Sequence, residues 1–192
     1  MTTERPMLFS APMIRALLAG TKSQTRRVVK DTGLYAIDAA IHGAETAARE
    51  LQALASRCPY GQPGHKLWVR ETHMDLGACY LFRADPGAET ERALVAPGQR
   101  WKPAIHMPRA ASRITLEVVN VRVERLQAIS EADAMDEGIV ETCGGYGLPA
   151  GEHFHAADPR QSYFSLWETI NGPGSVEANP WLWCVAFRRV MQ

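Results

Sequence analysis

Lys22 and Thr25 stand three residues apart in Gly20-Thr21-Lys22-Ser23-Gln24-Thr25-Arg26-Arg27, and Lys30 follows closely. An amine, a hydroxyl and two guanidinium groups in so short a run can serve two chemistries. The amine can act as a base toward the hydroxyl and make it a nucleophile for acyl or amide transfer. The same cations can instead hold a phosphate or contact a substrate. The first chemistry needs a neutral Lys22, whose pKa must fall several units from about 10.4 through burial or neighbouring cations. Arg26 and Arg27 supply such cations if they point inward.

The elements around this run must position it. Met13 to Ala19 is apolar and predicts a short helix, capped by Ser10, with Pro12 in its first turn and Gly20 as its stop. The cationic run then reads as a loop. Residues 31–56 change character, and their alanines predict an inserted helix over about 44–56. Lys66 to Glu71 and Cys79 to Ala84 read as strands, 85–100 as a loop, and Trp101 to Arg109 as short extended pieces between prolines. The clearest strand runs from Ser112 to Arg125, with Asn120 marking a bend or bulge. Ile129 to Gly138 predicts a helix that Ser130 caps and Gly138 ends. Residues 142–159 are rich in glycine and proline and predict a loop. A helix with Phe164, Trp167 and Ile170 on one face follows, and Trp181 to Phe187 closes the chain as a strand. Scattered helices among more numerous strands predict an α+β fold, a small mixed β-barrel with peripheral helices, in a single domain over 1–192.

Composition narrows the partners. The chain has 192 residues, 21 Lys+Arg against 21 Asp+Glu, and a formal net charge of zero. A global basic field for gripping long duplexes is absent, so a nucleic-acid contact needs a local patch, or the ligand is small. No apolar run approaches the roughly 20 residues that span a bilayer, and the polar N-terminus lacks a signal-peptide core. The four cysteines form no CxxC pair, which predicts free thiols and a cytoplasmic protein. No heptads support a coiled coil, and a monomer is expected.

Together, an apolar helix, the run Gly20 to Arg27, Pro63-Gly64-His65-Lys66-Leu67-Trp68-Val69-Arg70, the strand Ile114 to Val123, the short helix Ser130 to Ile139 and the closing strand Trp181 to Phe187 resemble the ASCH superfamily. Ile105-His106-Met107-Pro108 and Asn179-Pro180-Trp181 are similar to its longer phage and prophage forms. The resemblance covers nearly the whole chain. It implies a PUA-like β-barrel and association with RNA. One branch of the superfamily comprises small amidohydrolases that deacylate N4-acetylcytidine, using a lysine and a threonine in K-[ST]-x-T and a glutamate in the later short helix. The matching positions are Lys22, Thr25 and Glu137. His65 departs from the aspartate common there, and the 31–56 insertion is larger than in the smallest members.

The resemblance and the residues together predict a metal-independent amidohydrolase acting on an N4-acylated cytidine nucleoside, with no cofactor. Thr25 would be the nucleophile, Lys22 its base and Glu137 their support. Arg26, Arg27, Trp68, Arg70, Trp101 and His106 are the expected substrate contacts. Trp68 and Trp101, flanked by charges, are the best candidates for stacking a base. Structural readings stand beside these: Arg70 pairing with Glu71, His106 hydrogen-bonded in the fold, the other tryptophans in the core. Cys58, His65, His73 and Cys79 match no familiar zinc spacing. The competing function is an RNA-binding module, or a single-strand ribonuclease, working through the same basic pocket on single-stranded RNA.

Overall fold

A computed structural model of the chain describes residues 3–30, 43–93, 98–149 and 151–190. Its centre is a five-stranded sheet. The strands are β1 (Glu4–Leu8), β2 (Gln24–Val28), β3 (Lys66–Arg70), β6 (Thr115–Arg125) and β9 (Trp181–Val190), in spatial order β1-β3-β6-β9-β2. β1 and β3 are parallel, and the other neighbours are antiparallel. Two small ladders accompany the sheet: β4 (His73–Asp75) with β5 (Tyr80–Phe82), and β7 (Val140–Thr142) with β8 (Gly145–Gly147). Five α-helices are described: α1 (Ala11–Ala19), α2 (Ala44–Ala55), α3 (Ala88–Ala93), α4 (Glu131–Asp136) and α5 (Pro159–Asn171). The protein is therefore α+β. The described pairings leave β1 and β2 as the two edges, but Arg27 of β2 donates to the Leu8 carbonyl at 2.5 Å, so the edges touch through a side chain.

β9 explains where the core lies. Its run Trp-Leu-Trp-Cys-Val-Ala-Phe barely alternates, because the strand is buried on both faces. Trp183, Val185 and Phe187 join Met7, Ile14, Leu67 and Leu116 in one cluster. Leu182 and Cys184 join Leu126, Ile129, Tyr163, Leu166 and Trp167 in a second, beneath α4 and α5. A register shift between Val118 and Asn120 puts a bulge in β6 where the sequence marks one.

Several local readings change. The cationic run is largely a strand, because Gln24 to Val28 pairs with β9 from Ala186 to Leu182. The polar N-terminal stretch is recruited as β1 by β3. Ala88 to Ala93 is helical within the expected loop, and 104–111 contains two 3-10 turns rather than extended pieces. The 142–159 segment opens with the β7–β8 hairpin, and Tyr146 then bridges to His155. The first part of the 31–56 insertion, residues 31–42, lies outside the described residues; its helix is α2. On α5 the buried face is Tyr163, Leu166 and Trp167, whereas Ile170 is 53% exposed. Spacings of three drift round a 3.6-residue helix by about 60° per step, so Phe164, Trp167 and Ile170 cannot share one narrow face.

Candidate active site

Lys22 reaches its place through two turns. Gly20 ends α1 with φ 77, a left-handed conformation that glycine adopts without strain. The chain then turns back, and the amides of Thr21 and Lys22 both donate to the Ala16 carbonyl at 3.0 and 3.3 Å. Opposite, α4 ends at Glu137, and Gly138 follows with φ 103. A methyl on Gly138 would lie 3.2 Å from the Ala16 Cβ and 3.6 Å from the Lys22 Cβ. Only glycine lets the two segments close on each other. Lys22 and Glu137 then form an isolated antiparallel bridge, and Ser23 N–H donates to the Asp136 carbonyl at 2.9 Å. We expect Gly138→Ala to cost at least about 2 kcal/mol, combining left-handed strain with a tight contact. Chemical denaturation checks it; a loss below about 0.5 kcal/mol would mean that the close approach is dispensable.

The bridge brings together side chains that lie far apart in sequence. Lys22 Nζ donates to Glu137 Oε2 at 2.8 Å and to the Glu137 carbonyl at 2.7 Å. The two side chains are 0% and 2% exposed. Arg26 Nη1 donates to the other Glu137 oxygen at 3.2 Å, and its Nη2 pairs with Asp133 at 3.2 Å and, more closely, with Glu124. Arg122 completes the set, pairing with Glu124 at 3.1 Å and Asp133 at 2.7 Å. Gln24 links Arg122 to Asp133. Three cations thus meet three carboxylates, and the buried charges are balanced.

Burial pushes the Lys22 amine below its ordinary value; Glu137 opposes this, while Arg27 and Arg26 assist it. Burial also pushes Asp133 up, but Arg122, Ser130 and Arg26 outweigh it and hold the carboxyl at about 2. The Cys184 thiol is raised by burial and donates to Glu124 at 3.2 Å, so it is a protonated donor and no nucleophile.

A pocket of about 70 Å³ opens beside this network, with Thr25, Arg26, Arg27, Glu137, Tyr163 and Asn171 as its polar lining. Met13, Leu166, Trp167 and Ile170 form its apolar wall. Its volume is several times the roughly 10–15 Å³ that a cavity needs to hold one water, enough for a small acyl group. Thr25 is 2% exposed, and among the described residues no hydrogen bond is formed by its hydroxyl. Lys22 itself does not line the pocket; it stands behind Glu137.

Of the remaining expected contacts, Arg26 and Arg27 line the pocket, and Trp68, Arg70, Trp101 and His106 lie elsewhere. Arg26 touches the pocket, but its side chain is 0% exposed and is taken up by carboxylates. Arg27 lies over the Phe9 ring at 5.5 Å. Trp68 and Arg70 sit on β3, across β6 and β9 from Thr25, and the Arg70 guanidinium stacks on Trp68 at 5.1 Å. Glu71 pairs with Arg113 at 2.9 Å rather than with Arg70. Trp101 packs on a small cluster with Met74 and Leu81. His106 is exposed at the end of a 3-10 turn. Among the described residues no group of three or more His, Cys, Asp or Glu could hold a metal, and all four cysteines are free. No described helix is long and apolar enough to cross a membrane.

Sequence reasoning missed Glu124, Arg122, Asp133 and Tyr163. The first two stand two residues apart on β6, a spacing that puts both side chains on one face of the strand. Tyr163 carries no local signal, because only the packing of α5 against β2 and β9 brings it there. Comparisons with protein-family models, with curated proteins and with solved structures returned no match.

Proposed function

We propose that the protein is an amidohydrolase that removes acyl groups from N4-acylated cytidine nucleosides, and that its sheet corresponds to a PUA-like barrel. One observation carries this reading: a fully buried lysine whose amine is bracketed by both the carboxylate and the carbonyl of Glu137, next to a pocket that Thr25 and Glu137 share. Both Lys22 contacts are donations. Two N–H groups suffice for them, so the amine keeps both contacts once it has lost its third proton, and its lone pair can then accept one.

Because Glu137 lines the pocket and Lys22 stands behind it, the pair works as one base. Thr25 Oγ1 attacks the acyl carbon, the carbonyl electron pair moves onto oxygen, and the threonine proton passes through Glu137 to Lys22. The tetrahedral adduct collapses by breaking the C–N4 bond, and the proton returns from Lys22 through Glu137 to N4. Cytidine leaves, and an acyl-threonine ester remains. Water, deprotonated by the same pair, attacks the ester, frees the carboxylic acid and restores Thr25. The apolar wall of Met13, Leu166 and Ile170 suits the acyl group.

The RNA-binding alternative requires cations free to meet phosphate. Arg26 is closed in by three carboxylates and Arg27 is held by Leu8 and Phe9, which favours the uncharged ligand. The test is release of acetate from N4-acetylcytidine by purified protein, followed by chromatography of cytidine, with and without EDTA. Turnover unaffected by EDTA is expected. Absence of turnover across a panel of acyl groups, together with RNA binding that weakens steeply with salt, would transfer the assignment to the RNA module.

A further inference from the structure

We propose that Tyr163 is a further catalytic residue of this pocket, whose phenolic O–H donates to the oxyanion that forms when the acyl carbonyl is attacked. The assignment rests on the amidohydrolase reading above. Amide hydrolysis needs three parts: a nucleophile, a base and a donor aimed at the developing negative charge. Thr25 and the Lys22–Glu137 pair fill the first two. The donor must stand in the same pocket and have its hydrogen-bonding capacity uncommitted.

Arg26, Arg27 and Asn171 also bring N–H donors to the pocket lining, and each is already engaged; Asn171 Nδ2 donates to the Trp167 carbonyl at 3.0 Å. Arg26 is engaged with Glu124, Asp133 and Glu137. Arg27 donates to the Leu8 carbonyl. Tyr163 is different: it lines the pocket together with Thr25 and Glu137 and is 4% exposed, and among the described residues its hydroxyl makes no hydrogen bond. Arg26 Nε and Trp167 Nε1 are sealed from solvent without a partner, whereas the Tyr163 hydroxyl is not among such sealed atoms. Its oxygen therefore meets open space, and the pocket is the open space that Tyr163 lines.

The ring is well held. Trp167 packs at 6.2 Å one turn along α5, and the Arg26 guanidinium lies 6.0 Å from the ring centroid. A donor on a fixed ring needs little reorganisation as charge develops, which is the source of oxyanion stabilisation. The charged groups around it are Arg26 and Arg27 on β2 and Glu137 after α4, and the neutral thiol of Cys184 on β9 is the other titratable neighbour. Burial, with Glu137 and Cys184, keeps Tyr163 protonated far above neutrality, although Arg26 and Arg27 oppose this.

The experiment is Tyr163→Phe, assayed with N4-acetylcytidine beside the wild-type protein. The expected result is a loss of about 100-fold in kcat, with KM changed less than about threefold. The loss should be the same factor from pH 6 to 9, because the phenol does not titrate there. The folded state should be as stable as wild type, since an unpartnered hydroxyl is removed and the ring stays. Unchanged kcat in Tyr163→Phe, with an active wild type, overturns the assignment of Tyr163 alone. A variant that fails to fold, or melts well below wild type, shows that the hydroxyl serves the fold and overturns it as well. An inactive wild-type protein sinks the amidohydrolase reading and Tyr163's role with it.

Discussion

Lys22→Ala and Lys22→Arg are both expected to lower kcat/KM for N4-acetylcytidine by about 10²- to 10⁴-fold, the usual worth of a positioned base. The two variants separate catalysis from structure. Alanine leaves the buried Glu137 without its nearest cation, which costs about 3 kcal/mol; this is the low end for a broken buried pair, because Arg26 still holds the other carboxylate oxygen. Arginine keeps a cation but cannot give up its proton, so most stability survives and activity does not. In the wild type, kcat should rise with pH as Lys22 loses its proton, in a limb centred below the ordinary lysine value of 10.5, because burial depresses the amine. The stability sign follows from the same shift. A depressed lysine favours the neutral form in the folded state, so the fold weakens as pH falls through the folded value. Its contribution is fully recovered near 10.5 and above. Rate profiles and urea titrations across pH measure both effects. Full activity in either Lys22 variant would remove the base from the mechanism.

The second large effect belongs to Arg26. Arg26→Gln leaves Lys22 and Arg122 to face Glu124, Asp133 and Glu137, two cations against three carboxylates at a largely buried site. A stability loss of about 3–5 kcal/mol is expected at neutral pH. Acid sensitivity should change as well. Asp133 is held at about 2, below its ordinary 3.8, so its stabilisation is present above 3.8 and is lost as pH falls toward 2. Removing Arg26 takes away one of the cations that hold it there, and acid unfolding should begin at a higher pH. Lys22 loses a cation that lowers its pKa, so the activity limb should also move to higher pH. Arg26→Lys restores one charge without the fork that serves three carboxylates, and an intermediate stability is expected. Circular dichroism during acid titration, paired with the rate profile, checks both. An Arg26→Gln protein as stable as wild type would mean that the network is slack.

Much of the frame was legible in the residues themselves. Ser130, Gly138 and Gly20 carry cap and stop signals that act locally, and α1 and α4 end where those signals stand. The alternation in β6 reports a strand with distinct faces, and Asn120 falls at its irregularity. The run from Gly20 to Arg27 was legible as chemistry but not as geometry. Its cations suggest a solvated loop, yet Gln24 to Val28 is a strand, because β9 offers an unpaired edge and the α4 carboxylates neutralise Arg26. No local propensity records either fact.

Sequence alone thus determined the chemical types of the candidate pair, the helix that leads into it and the glycines that turn the chain. Tertiary structure decided which carboxylates meet Lys22 and Arg26, that Trp68, Arg70, Trp101 and His106 lie outside the pocket, and that Tyr163 lies within it. The reason is physical. Caps, turns and strand alternation depend on neighbours a few residues away, whereas a buried ion network depends on pairing across more than a hundred residues, as between Lys22 and Glu137. That closure is set by the packing of β9, α4 and α5, and by a glycine at position 138 small enough to permit it.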